Sequence, residues 1–173
     1  VVGRDRYTEC ICILANIATS IERYGTEIRN LQRSEIDEAA EFFDEKKQVG
    51  SSTMAQKRNP MNSENCCGLA RVVRSCVTPT FESQVLWHER DLSNSSTERF
   101  TLSHAFVLTD EILKKMNWIF EGLEVKRDNM LANIESSHGL VMAEPLMMKL
   151  TEKGIGRQDA HEIIREASMI ASR

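Results

Sequence analysis

The sequence predicts an all-α fold, on three observations. Its 173 residues include only 8 glycines and 3 prolines, about half the roughly 12% of an average protein, whereas sandwiches and barrels need frequent turns. Two segments carry side chains at alternating steps of four and three: Cys10, Leu14, Ile17, Ile21, Tyr24, Ile28 and Leu31, then Leu102, Phe106, Thr109, Leu113, Met116, Phe120 and Leu123. That spacing draws the narrow seam of antiparallel bundles and coiled coils. Ile11, Ile13, Ile112 and Ile119 lie beside the seams, so each helix is expected to bury more than one face, as in a large multi-helix assembly.

Taken in order, the first seam predicts a long helix ending near Leu31. Residues 46–60 lack any helical or strand period and hold Gly50, two serines and Pro60, which predicts a loop. Asn59-Pro60 predicts the start of the next helix, with Asn59 as N-cap and Pro60 at the first helical position, where a missing N–H does no harm. That helix should run to about Val77, with Pro79 ending or kinking it. The polar, serine-rich residues 87–99 should form a helix end or turn ahead of the second seam. After Gly122 the pattern changes: a shorter helix over about 139–153 stops at Gly154, and another follows over about 157–172. Residues 127–173 therefore read as the start of a separate small helical domain.

Composition excludes several classes. The longest apolar run, Cys10 to Ala15, has six residues, far below the roughly 20 that span a bilayer, so no membrane partner is expected. The chain opens Val1-Val2-Gly3-Arg4-Asp5 without an initiator Met or an apolar leader, which suggests a piece of a longer polypeptide. Five cysteines, none spaced C-x-x-C, fit reduced thiols in a cytoplasmic setting better than disulfides or a zinc ribbon. A net charge of −4 argues against nucleic acid as a partner. Charge is nonetheless segregated. Residues 35–45 hold six acids and no base, while residues 46–74 hold Lys46, Lys47, Lys57, Arg58, Arg71 and Arg74 against Glu64 alone. A basic segment in an acidic chain points to an anion met there.

The loop–helix junction around residues 50–64 is the best candidate for that meeting. A helix N-terminus offers unpaired N–H groups and partial positive charge, Lys57 and Arg58 stand just before it, and Ser51, Ser52 and Thr53 add hydroxyls. A solvated basic loop would show the same features. It is not a P-loop, since G-x-x-x-x-G-K-[ST] is absent.

Residues 50–60, Gly50-Ser51-Ser52-Thr53-Met54-Ala55-Gln56-Lys57-Arg58-Asn59-Pro60, resemble the signature loop G-S-S-x-M-P-x-K-x-N-P of the fumarase/aspartase superfamily. Within it, residues 57–64 (KRNPMNSE), 68–71 (GLAR) and 87–99 (WHERDLSNSSTER) resemble the adenylosuccinate lyase family, as do residues 4–7, 27–29, 31–35 and 154–160. The resemblance implies a long-helix bundle of the fumarase/aspartase type. Residues 1–126 would be the later part of its central helical domain, and 127–173 the beginning of the small C-terminal one. It also implies a homotetramer with active sites shared between subunits, a small-molecule nucleotide substrate, and neither cofactor nor metal.

The implied reaction is β-elimination of fumarate. Ser51 would be the catalytic base, which requires its alkoxide to be stabilised by nearby cations and N–H donors. Lys57 would hold the succinyl carboxylate and stabilise the doubly charged intermediate. Glu64 would orient a catalytic histidine supplied from outside this chain. Ser52 and Asn59 would bind substrate, Ser52 also shaping the loop with Thr53. Arg90, Ser95 and Arg99 would hold the phosphate, although Arg90 and Arg99 could instead pair with Glu89, Asp91 and Glu98 on a surface. His88, His104, His138 and His161 receive no role. Other superfamily members, such as carboxymuconate cycloisomerase or argininosuccinate lyase, and a non-catalytic bundle scaffold are the alternatives. Ala55 departs from the signature proline, which implies a less restrained open loop that loses more entropy on closing. Asn65 stands where some relatives have an arginine.

Overall fold

In the computed structural model, residues 3–43, 54, 57–88 and 91–171 are described; Ser51, Ser52, Ala55 and Arg90 lie outside them. The elements are α1 (Asp5–Leu31), β1 (Ala39–Ala40), α2 (Met61–Ser75), α3 (Val77–Glu82), α4 (Ser93–Glu121), β2 (Glu124–Val125), α5 (Arg127–Ser136), a 3-10 turn (Leu140–Met142), α6 (Ala143–Glu152) and α7 (Arg157–Ala171). Among the described residues the fold is all-α apart from one two-residue antiparallel pairing, Ala39 with Val125 and Ala40 with Glu124. Among the described residues no helix is long and apolar enough to cross a membrane. Contacts divide the chain into one unit of Val1–Glu35 with Ala39–Val125, and a second of Ile36–Glu38 with Lys126–Arg173.

In the first unit α1, α2 and α4 pack against one another. Ile11, Ala18, Ile21 and Ile28 from α1, Cys66, Ala70 and Val73 from α2, and Ala105, Ile112, Met116 and Ile119 from α4 form one core cluster with Cys76. Both expected seams are displaced by about one residue. The buried line of α1 is Thr8, Ile11, Ala15, Ala18, Ile21, Gly25 and Ile28, which shares only Ile21 and Ile28 with the sequence-derived seam. On α4 it is Asn94, Thr101, Ala105, Thr109, Ile112, Met116 and Ile119. Close helix approach selects small residues, which a hydropathy seam does not mark. At Gly25 an added Cβ would stand 3.0 Å from Cys67 Sγ and 3.1 Å from the Ser63 carbonyl oxygen. The larger seam residues flank the contact and stay partly open, Tyr24 at 52% and Phe106 at 51% exposure.

Two helix boundaries differ from expectation. Pro60, not Asn59, occupies the N-cap of α2, and it gives no side-chain cap. The helix then stops at Ser75, and Pro79 sits within the first turn of α3. Proline is accepted there because first-turn N–H groups have no intrahelical acceptor. The polar stretch does turn into a helix at Ser93.

In the second unit, Asn129 Nδ2 donates to the carbonyl oxygen and a carboxylate oxygen of Asp37 at 2.8 and 2.9 Å, and Lys126 pairs with Asp37. Asn133 Nδ2 donates to the Ile36 carbonyl at 2.8 Å. Helices α6 and α7 pack together around the fully buried Ala160. The stop at Gly154 has a definite geometry: Ile155 N–H donates to Leu150 O and Gly154 N–H to Thr151 O, at 3.2 and 3.0 Å. This is a Schellman ending, and Gly154 takes its φ of +92°.

Candidate active site

The junction is held from one side by a carboxylate that precedes the loop. Glu41, 5% exposed, accepts the Ser63 N–H at 2.6 Å on Oε1; on Oε2 it accepts the Asn62 N–H at 3.2 Å and Asn62 Nδ2 at 3.1 Å. These are N–H groups of the first turn of α2, where a negative charge also meets the positive end of the helix dipole. A side-chain cap of this kind contributes about 1 kcal/mol. Gln32, just past α1, completes the arrangement. Its Oε1 accepts the Glu41 N–H at 3.0 Å, and its Nε2 donates to the Arg58 carbonyl at 3.4 Å.

This corrects the sequence reading of the anion site. The N–H groups at the start of α2 are taken by the chain's own Glu41, so they are not the open cradle expected for a ligand. Part of the basic excess is also neutralised internally, because Arg71 and Arg74 both reach Glu22, at 3.3 and 2.5 Å. The guanidinium of Arg58 lies 5.2 Å from the Phe43 ring centroid. Lys57 is different. Its N–H donates to the Met54 carbonyl at 3.1 Å, while its side chain is exposed and has no carboxylate partner among the described residues. Asn59 is half-buried before the helix, and Glu64 is exposed on its first turn, its N–H donating to the Pro60 carbonyl at 2.9 Å. Thus Lys57, Asn59 and Glu64 belong to one junction, capped by Glu41.

A second cluster forms where α4 begins. Asp91 accepts the Ser93 hydroxyl at 2.5 Å, the Ser93 N–H at 2.8 Å and the Trp87 N–H at 3.0 Å. Those bonds, the Ser93 hydroxyl first, hold its carboxyl below the usual carboxylate range. Ser95 and Arg99 are four residues apart on α4 and so share a face; Ser95 is half-buried and Arg99 exposed. The surface pairing considered for Arg99 is not formed among the described residues. Asp91 is bound as above, and Glu98 pairs with Arg4 at 2.9 Å while accepting Asn94 Nδ2 at 2.9 Å.

Sequence reasoning missed Glu41, Gln32 and the Arg4–Glu98 pair, since each partner lies 9 to 94 positions away and no local spacing marks it. Lys115 is a further case: its Nζ donates to Asn65 Oδ1 at 2.6 Å and pairs with Glu111 at 3.2 Å. It lines a groove with Asn62, Glu111, Lys114 and Trp118. Among the described residues, His104 Nδ1 contacts the Phe100 carbonyl at 2.8 Å within its own helix.

The helical bundle that carries this junction is an all-α bundle of the fumarase/aspartase type. Residues 1–75 match the family described as Lyase, and residues 139–173 match Adenylosuccinate lyase C-terminus. The chain is similar to adenylosuccinate lyases along its whole length. It is 53% identical over its whole length to "Adenylosuccinate lyase" of Pyrococcus horikoshii and 46% identical over 169 residues to that of Helicobacter pylori. It spans 38% of the length of both relatives. Among solved structures it resembles a 3-carboxy-cis,cis-muconate lactonizing enzyme from Pseudomonas putida. The TM-score is 0.82 at 30% identity, covering 98% of this chain and 36% of that one.

Proposed function

We propose that the polypeptide carrying this chain is an adenylosuccinate lyase. It eliminates fumarate from adenylosuccinate to give AMP, and from the succinylated aminoimidazole carboxamide ribotide of purine biosynthesis. The observation that carries this is Lys57 of the signature string, an exposed cation without a carboxylate partner among the described residues, beside a helix start that Glu41 caps. In the reaction Ser51 removes a proton from the carbon next to a carboxylate. The electron pair moves into the new C=C bond as the C–N bond breaks, and the departing nitrogen takes a proton from a histidine outside this chain. Lys57 and Asn59 hold the carboxylate on which charge accumulates, and a positioned donor of this kind is worth on the order of 10²–10³ in rate. Glu64 orients the histidine, Ser52 contacts substrate, and Arg90, Ser95 and Arg99 receive the phosphate.

The first unit is read as the later part of the central helical domain, and the second as the beginning of the C-terminal domain. The open aromatic and aliphatic faces of α1 and α4, with Tyr24 edge-on to Phe120 at 5.6 Å, support assembly into a homotetramer whose sites are shared between subunits. The proposed setting is cytoplasmic. A muconate-type substrate carries no phosphate, so Ser95 and Arg99 favour the nucleotide.

The test uses the full polypeptide. Lys57→Met should cut fumarate release from adenylosuccinate by at least about a hundredfold with assembly intact, and wild-type activity in that variant would remove the lysine from the mechanism. AMP at 100 times its Kd should stabilise the protein by about 2.7 kcal/mol. If a phosphate-free succinate adduct protected and AMP did not, the nucleotide assignment would be wrong.

A further inference from the structure

Glu41 and Gln32 hold the junction at points on both sides of Pro60. Gln32 Nε2 reaches the Arg58 carbonyl ahead of the proline, at 3.4 Å, and Glu41 takes the N–H groups of Asn62 and Ser63 behind it. Lys57 directly precedes Arg58, Asn59 follows it, and Glu64 directly follows Ser63. Lys57, Asn59 and Glu64 are therefore each adjacent in the chain to a backbone group that this pair grips. The pair is itself joined through the Glu41 N–H and Gln32 Oε1 at 3.0 Å, which ties the junction to the C-terminal end of α1. Pro60 donates no N–H, and α2 has no side-chain cap from its own N-cap residue. The position of the first turn of α2 thus depends on Glu41.

We propose that Glu41 and Gln32 are positioning residues, which set where Lys57, Asn59 and Glu64 stand and act on the reaction only through them. This rests on the lyase reading above. Charge-assisted bonds from backbone N–H groups to a nearly buried carboxylate are short and directional, so the grip transmits geometry as well as stability. A displacement of about 1 Å at a reacting centre lowers the rate on the order of a hundredfold.

The experiment uses the full polypeptide with Glu41→Ala, Glu41→Gln and Gln32→Ala. It reads kcat and KM for adenylosuccinate well below each variant's Tm, together with hydrogen exchange at the amides of Asn62 and Ser63. Glu41→Ala should lower kcat about 10- to 100-fold while the protein stays folded and assembled, with faster exchange at those two amides. Glu41→Gln keeps a carbonyl oxygen for Ser63 N–H and should recover most of the lost kcat. Gln32→Ala should lower kcat by a smaller factor, and it decides the matter if Glu41→Ala does not fold. Wild-type kcat in a folded Glu41→Ala or in Gln32→Ala overturns the proposal, as does a Glu41→Gln as damaged as Glu41→Ala. A purely structural role would lower Tm in all three and leave kcat unchanged. A wild-type polypeptide inactive on adenylosuccinate counts against the lyase reading instead, and the exchange rates at residues 62 and 63 then still test the grip.

Discussion

Gly25→Ala and Gly68→Ala make the same chemical change in two helix interiors, and they should move stability in opposite directions. Alanine is favoured over glycine inside a helix by about 1 kcal/mol, because glycine has more backbone entropy to lose. At Gly68 on α2 the new methyl would meet nothing within 4 Å, so the full gain of about 1 kcal/mol should appear. At Gly25 on α1 the methyl would stand 3.1 Å from the Ser63 carbonyl oxygen and 3.0 Å from Cys67 Sγ. The carbonyl belongs to the backbone of α2 and cannot rotate away. The sulfur lies 3.7 Å from both Thr26 Oγ1 and the Glu22 carbonyl. Overpacking of this kind costs about 1–3 kcal/mol, which equals or exceeds the propensity gain and leaves a net loss of up to about 2 kcal/mol. Urea denaturation followed by circular dichroism measures both: a midpoint shift at constant slope is a change in stability. A Gly25→Ala protein as stable as Gly68→Ala would show that α1 and α2 do not approach this closely.

Other expectations follow from single sites. Ile112→Ala should cost about 2–5 kcal/mol in the same assay, since Ile112 is fully buried in the three-helix core and the cavity adds to the lost transfer energy. Gly154→Ala should destabilise the second unit by about 1 kcal/mol, because φ of +92° strains any residue with a Cβ; equal stability would contradict the Schellman ending. Asp91 has a depressed carboxyl pKa in the folded chain. Its stabilisation of the α4 start is therefore complete above the unfolded value near pH 3.9 and fades as pH falls through the lower folded value. Protection of the Ser93 amide relative to its intrinsic exchange rate should fall only in that acid range, and Asp91→Asn should abolish that fall. Burial is the largest influence on the Cys66 thiol and pushes it up to about 11, so alkylation of the native protein at pH 8 should spare Cys66.

Helical class was legible because it rests on composition and period, both local properties. The resemblance at residues 50–64 was legible for a similar reason: they form one contiguous string, and a contiguous string can be matched to a family. The faces were less so. The spacing picked out Leu14, Ile17 and Tyr24, yet α1 meets its neighbours through Ala15, Ala18 and Gly25, because helices that cross closely need small side chains, and hydropathy ranks small side chains low. The N-terminus of α2 was misassigned for a different reason. Asn59-Pro60 is a strong local start signal, but the groups that need satisfying are the N–H groups of Asn62 and Ser63, and a residue 21 or 22 positions upstream reaches them.

The amino-acid order by itself determined that this chain is helical, that a helix breaks at Gly154, and that residues 50–60 resemble a known signature string, since each depends on residues close together along the chain. Only the tertiary structure decided which helix faces are buried, that Glu41 rather than a ligand occupies the start of α2, and that Lys57 keeps its side chain free of a carboxylate among the described residues. Those outcomes depend on which distant groups packing brings within about 3 Å of one another, the range of a hydrogen bond, and no local pattern encodes that distance.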